Sequence, residues 1–69
     1  MKIGDKVKVL TNELAEYGVV ENAIGTVTEV WPSACYKGEV LARIVADGTN
    51  GNVEFSRWDH ETDRIEVMA

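Results

Sequence analysis

The chain has 69 residues, of which 45% are hydrophobic and 28% are charged, and its formal net charge is -5. This length predicts one small domain over residues 1–69, near the lower limit for a single apolar core, and the composition is globular rather than disordered. Binding to nucleic-acid phosphates draws on Lys and Arg, so the acidic balance argues against nucleic acid as a partner.

The sequence also predicts a cellular location. The only cysteine, Cys35, cannot close a disulfide within the chain, which favours a reducing compartment. The first residues lack the apolar core of a signal peptide, and no apolar run approaches the roughly 20 residues that span a bilayer. We therefore expect a cytoplasmic protein without membrane association.

The first strand and a long loop are predicted in residues 3–24. Val7 and Val9 alternate with lysines, which is typical of a strand with one buried and one exposed face. Residues 11–24 lack sustained alternation, and they predict a loop with one helical turn near residues 13–16.

The second strand is predicted over residues 26–31 and ends before Pro32. Val27 and Val30 lie on opposite faces of a regular strand, because successive side chains alternate between the two faces. Both can reach one core only if a β-bulge lies between them, and we predict such a bulge.

A hairpin follows in residues 40–56. The apolar residues of the third strand share one face, and the turn dipeptides Asp47-Gly48 and Asn50-Gly51 precede a fourth strand over residues 52–56. Residues 58–63 are short and polar and predict a 3-10 turn before a fifth strand. The predicted core consists of Val7, Val9, Val27, Val30, Ala42, Ile44, Val53, Phe55, Ile65 and Val67.

This order of elements resembles an SH3-like barrel. Two motifs agree with it: GDKVKVL at residues 4–10 and GTVTEV at residues 25–30 resemble the opening of KOW-type and related bacterial SH3-like domains. Similar openings occur in the small stromal subunit of photosystem I and in the variable chain of ferredoxin-thioredoxin reductase, whose end resembles DRIEV at residues 63–67. The resemblance implies an all-β, five-stranded SH3-like barrel, and it does not select one function.

The sequence gives little support for metal binding, catalysis or phosphate binding. His60 lies among Asp59, Glu61 and Asp63, but the spacing matches no metal motif and neighbouring side chains on a polar turn diverge. Nothing orders Cys35 and His60 for covalent catalysis, and the glycines match no phosphate-binding motif. We expect no enzyme activity, no metal and no cofactor.

The aromatic residues are the more informative candidates for a binding site, since such side chains are enriched in binding centres. Tyr17 in the long loop favours binding, whereas Trp31 and Tyr36 around the second loop are open between binding and structure. We expect these two loops to form a shared aromatic surface. Trp58 is interpreted as a plug at the end of the barrel.

Leu41 and Val45 form a second candidate surface. Both fall on the opposite face of the third strand from its main apolar set, on either side of Arg43. One interpretation is a contact surface, either for a partner or for a second copy of the chain. The alternative is that Val19 and Val20 of the long loop cover these two residues.

These observations favour a non-catalytic protein-interaction module or small accessory subunit that binds an unidentified protein, with a homodimer left open. One alternative is a KOW-type nucleic-acid-binding domain, and another is an acidic mimic of nucleic acid, as some small phage proteins are. The first alternative would use Lys2, Lys6, Lys8, Lys37 and Arg43. The second would use Glu13, Glu16, Glu21, Asp59, Glu61 and Asp63.

Overall fold

A computed structural model describes residues 1–35 and 38–68 of the chain. Within them the fold is all-β, as predicted, with five antiparallel strands in one sheet. No helix in these residues has the length and apolar character needed to cross a membrane. The strands are β1 (Lys6–Val9), β2 (Ile24–Pro32), β3 (Val40–Gly48), β4 (Gly51–Trp58) and β5 (Ile65–Met68).

The strands are arranged in the order β4-β3-β2-β1-β5, so that the last strand pairs with the first. This order is compatible with an SH3-like barrel. Among the described residues, the edge strands β4 and β5 do not pair with each other, and closure of the barrel stays a prediction.

The 3-10 helix of the described residues, Ala15–Tyr17, lies in the loop between β1 and β2, where the sequence predicts a helical turn. The segment before β5, in contrast, forms hydrogen-bonded turns. The N–H of Glu61 donates to the Trp58 carbonyl at 3.1 Å, and the Glu61 carboxylate accepts from the Trp58 N–H at 2.8 Å. This side-chain bond satisfies the backbone locally without a helical repeat.

The predicted β-bulge is present in β2. Val27 pairs with Ile44, and the next paired residue on β2 is Glu29, opposite Arg43, so the register shifts between them. As a result Val27 is buried, and Val30 packs against the same core cluster. The mixed parity of the two valines therefore predicts the bulge correctly.

The predicted hairpin between β3 and β4 is also present. Gly48 pairs with Gly51, which leaves Thr49 and Asn50 as the two-residue turn. The loop between β1 and β2 that carries the 3-10 helix, called the 3-10 loop, packs on this turn. Its Tyr17 carbonyl accepts a hydrogen bond from the Thr49 N–H at 3.2 Å. Gly18 has a φ of 90°, and a Cβ there would overlap the Thr49 backbone, so the contact requires glycine.

The core lies on the inner face of the sheet in two adjoining clusters. Val19 is fully buried although it lies in the loop between β1 and β2, because this loop, which carries the 3-10 helix, brings it against Val9 and Ala46. Val67, predicted as core, is 46% exposed. That prediction is wrong because Val67, unlike Ile65 on the same edge strand, is not among the described residues that pack against either core cluster. The buried apolar residues are Val7, Val9, Val19, Val27, Ala42, Ile44, Ala46 and Ile65.

Phe55 joins the two clusters and gives a test of the core. Its half-buried ring packs against both of them, and the Arg57 guanidinium covers it at 5.3 Å. Because truncation leaves a cavity between the clusters, we expect Phe55→Ala to lower the free energy of unfolding by about 2–4 kcal/mol. Val67→Ala is the control, with an expected loss below about 1 kcal/mol. Urea denaturation measures both, and equal losses would contradict this description of the core.

Candidate functional site

Three large side chains lie in a row across the outer face of the sheet. The register places Trp31 of β2 opposite Leu41 of β3, and Leu41 opposite Trp58 of β4. Alternate residues of β3 are buried on the inner face, so Leu41 points outward. Directly opposite residues have Cβ atoms about 5 Å apart, and these three residues, the outer aromatic row, form one continuous surface.

Arg43 holds one end of the outer aromatic row. Its guanidinium carbon lies 5.4 Å from the centre of the Trp31 ring, and its Nη1 atom is 3.0 Å from Glu29 Oε1. Both charged side chains are well exposed, so the ion pair adds little to stability. Its effect is to orient the cation over the indole face.

His60 lies beside the other end of the row. Its ring stacks on Trp58 with the ring centres 6.2 Å apart and the planes at 17°. Trp58 is half-buried on the outer face of β4, so the interpretation as a plug at the barrel end is wrong. The ring of Trp58 lies outside because β4 keeps a regular alternation up to its last residue.

The turn after β4 is fastened to the start of β3. The Asp59 N–H donates to the Val40 carbonyl at 3.0 Å, and the Val40 N–H donates to Asp59 Oδ1 at 3.2 Å. The adjacent His60 Nδ1 lies 2.9 Å from Glu39 Oε2. Glu39, Asp59 and His60, the carboxylate–imidazole cluster, have possible metal-ligand atoms that all lie within 4.8 Å of one another.

Glu39 controls the protonation of this cluster. Its hydrogen bond raises the pKa of His60 above the ordinary value of 6.5, and nearby acidic charges act in the same direction. The pKa of Asp59 is lowered, first by a hydrogen bond with the Glu39 side chain and then by the Val40 N–H. The cluster therefore favours an ionised Asp59 beside a protonated His60.

Among the described residues, Tyr17 and Trp31 do not come together in the aromatic surface that the sequence predicts between two loops. Tyr17 is 54% exposed, but its backbone is bonded at the β3–β4 turn, next to Gly48. Trp31, 39% exposed, lies opposite Leu41 at the other end of β3. These ends are separated by roughly 20 Å of strand. Tyr36 lies outside the described residues.

Leu41 and Val45 do share the outer face with Arg43, as the sequence predicts. Val45 lies between Thr26 and Glu54, closer to the hairpin turn than the outer aromatic row. Coverage by Val19 does not occur, because Val19 is buried in the core on the inner face. Val20, the other candidate cover, is itself exposed.

Several charged residues of the two nucleic-acid alternatives, the KOW-type site and the acidic mimic, have partners in the structure. Glu13 accepts from Arg57 at 3.0 Å, and Arg64 lies 3.5 Å from both Glu13 and Glu61, so two of the predicted acidic residues belong to a mixed-charge network. Lys6 donates to the Thr26 hydroxyl at 2.7 Å. Lys37 lies outside the described residues.

Comparison with protein-family models, with curated proteins and with solved structures finds no significant match to this chain.

The hydrogen bond between Glu39 and His60 predicts a measurable titration. Because folding raises the pKa of His60, its contribution to stability is fully present below pH 6.5 and is lost as the pH rises through the raised pKa. Glu39→Gln should bring this pKa back towards its ordinary value. His60 is the only histidine, so its ring proton signals in an NMR titration in chelator-treated buffer report the change directly.

Glu66→Gln on β5 is the control for this titration. Glu66 is exposed and is not among the groups that shift the pKa of His60. A His60 pKa that is equal in the wild type and in Glu39→Gln would contradict the assigned cause.

Proposed function

We propose that this protein is a non-catalytic interaction module, or a small accessory subunit, that binds a protein partner through the outer aromatic row. The observation that supports the proposal is the alignment of Trp31, Leu41 and Trp58 on the outer sheet face, where Trp31 is exposed and the other two are half-buried. Trp is enriched among the residues that dominate binding energy, and clustered anchors are more effective than scattered ones. This row replaces the loop surface that the sequence predicts.

The row is also ordered before a partner arrives. Arg43 lies over Trp31 and is held by Glu29, and His60 is stacked on Trp58. Side chains that are already oriented lose less conformational entropy on binding. Three paired strands carry the anchors, and strands hold a contact surface more precisely than loops do.

The surroundings of the row suggest the charge of the partner. Glu29 and Glu39 border the row, and Glu54 lies beside Val45 on the same face. Arg43, the cation next to the row, is already paired with Glu29, whereas Lys6 and Lys8 of the same face lie on β1, away from the row. We infer a partner with an apolar centre and a rim of Lys or Arg, because opposite charges would then meet at the edge of the contact.

The two nucleic-acid alternatives, binding and mimicry, fit this structure less well. A net charge of -5 and acidic neighbours oppose a nucleic-acid backbone. The mimic of nucleic acid is weakened as well, since Arg57 and Arg64 neutralise Glu13 and Glu61. A cytoplasmic location remains part of the proposal, supported by the single exposed thiol of Cys35.

Two single substitutions test the binding surface. The partner is recovered from host lysate by cross-linking and then titrated, as a purified protein, with each variant. We expect Trp31→Ala to weaken binding by about 1–3 kcal/mol, because it removes an anchor of the row. Tyr17→Ala is the matched control: it removes an exposed aromatic ring at the far end of β3, and its affinity should equal that of the wild type.

Thermal melts of both variants show whether the loss is one of binding or of folding. A loss with Tyr17→Ala but none with Trp31→Ala would instead support the loop surface. Self-association that disappears with Trp31→Ala, measured by sedimentation, would identify the partner as a second copy of this chain.

A further inference from the structure

We propose that the carboxylate–imidazole cluster, Glu39, Asp59 and His60, binds a divalent transition metal such as Zn²⁺. The three side chains come from two separate segments, the residue before β3 and the turn after β4, which the pairing of these strands brings together. Their candidate ligand atoms all lie within 4.8 Å of one another. One imidazole nitrogen with two carboxylate oxygens is a donor set that suits zinc and its neighbours better than Mg²⁺ or Ca²⁺.

The distances require only small movements. Zinc binds imidazole nitrogen and carboxylate oxygen at about 2.0–2.2 Å, so the ligand atoms of a tetrahedral site are about 3.4 Å apart. His60 Nδ1 and Glu39 Oε2 are already 2.9 Å apart and share a hydrogen bond. A metal would take the place of the proton between them, and Asp59 would bind through a carboxylate oxygen that already lies within 4.8 Å of the other two ligand atoms. Water would complete the coordination.

The surrounding structure holds the three ligands in place. Stacking on Trp58 orients the ring of His60, and Asp59 is tied to Val40 through both its N–H and its Oδ1 atom. The Glu39 carbonyl accepts a hydrogen bond from the Ser33 N–H at 2.9 Å, which fixes the backbone of the third ligand. Such supporting contacts orient ligands and strengthen metal binding.

The charge of the cluster also favours a dication. Within the residues that the structure describes, the ion pairs of Glu39 and Asp59 include no Lys or Arg; His60 is paired with Glu39, and the N-terminal ammonium and His60 act on Asp59. Two carboxylates with a neutral imidazole carry a charge of -2, which one divalent metal neutralises.

Calorimetric titration with Zn²⁺ tests the proposal. The thiol of Cys35 is another zinc ligand, so the parent is the Cys35→Ser variant, freed of metal with a chelator. We expect one Zn²⁺ per chain, and we expect His60→Asn and Asp59→Asn each to weaken the affinity at least ten-fold, because each removes one ligand. Glu66→Gln is the matched control: it removes one exposed carboxylate on β5 and should leave the affinity unchanged.

A second measurement uses tryptophan fluorescence instead of calorimetry. Cu²⁺ bound at His60 would quench the stacked Trp58, and this quenching should be lost in His60→Asn, while circular dichroism verifies that the variant is folded. Zinc affinity that is equal in the parent and in both ligand variants would overturn the proposal. So would a ten-fold loss in Glu66→Gln, which would indicate diffuse attraction to an acidic surface, or the absence of binding by the parent at millimolar Zn²⁺.

Discussion

The β-bulge between Val27 and Glu29 decides which side chains of β2 face the core. In an unbroken strand, residues of odd number would all lie on the face of Val27, and Trp31 would point inward. The single extra residue reverses the parity, so that Val30 packs on the core and Trp31 joins Leu41 outside. The packing of Val30 on the core and the exposure of Trp31 thus depend on the same irregularity.

The other end of the outer aromatic row depends on hydrogen bonds rather than on parity. Asp59 ties the turn after β4 to Val40, and this keeps His60 within reach of both Glu39 and Trp58. The turn after β4 therefore positions the ring of His60 on Trp58, at the edge of the proposed protein contact. The same turn also carries two ligands of the proposed metal site, Asp59 and His60. A change in this turn would affect the two together.

Most of the sheet can be predicted from the sequence, because its signals are local. Alternation identifies the strands, the opposite parity of Val27 and Val30 identifies the bulge, and the turn dipeptides identify the β3–β4 hairpin. Val19 and Val67 are missed for the opposite reason. Their burial depends on which loop or strand lies beside them, and alternation carries no information on that.

The candidate site is predicted only in part. Trp31, Leu41 and Val45 are recognisable as aromatic or apolar residues on an otherwise polar face. The association of Trp31 with Tyr17 is wrong, because it assumes that neighbouring loops meet, whereas the 3-10 loop packs on the β3–β4 turn. Glu39 and His60 are 21 positions apart, and only the register of β3 and β4 makes them neighbours.

The pairing of β1 with β5 has a consequence for how the chain reaches its fold. Lys6 lies opposite Met68, so the ladder joins residues from nearly opposite ends of the sequence. Closing so long a loop costs entropy before any contact offsets it, and sheets rich in such distant pairings fold slowly for their size. During synthesis β1 can meet β2 early, but one of its edges stays open until β5 has left the ribosome.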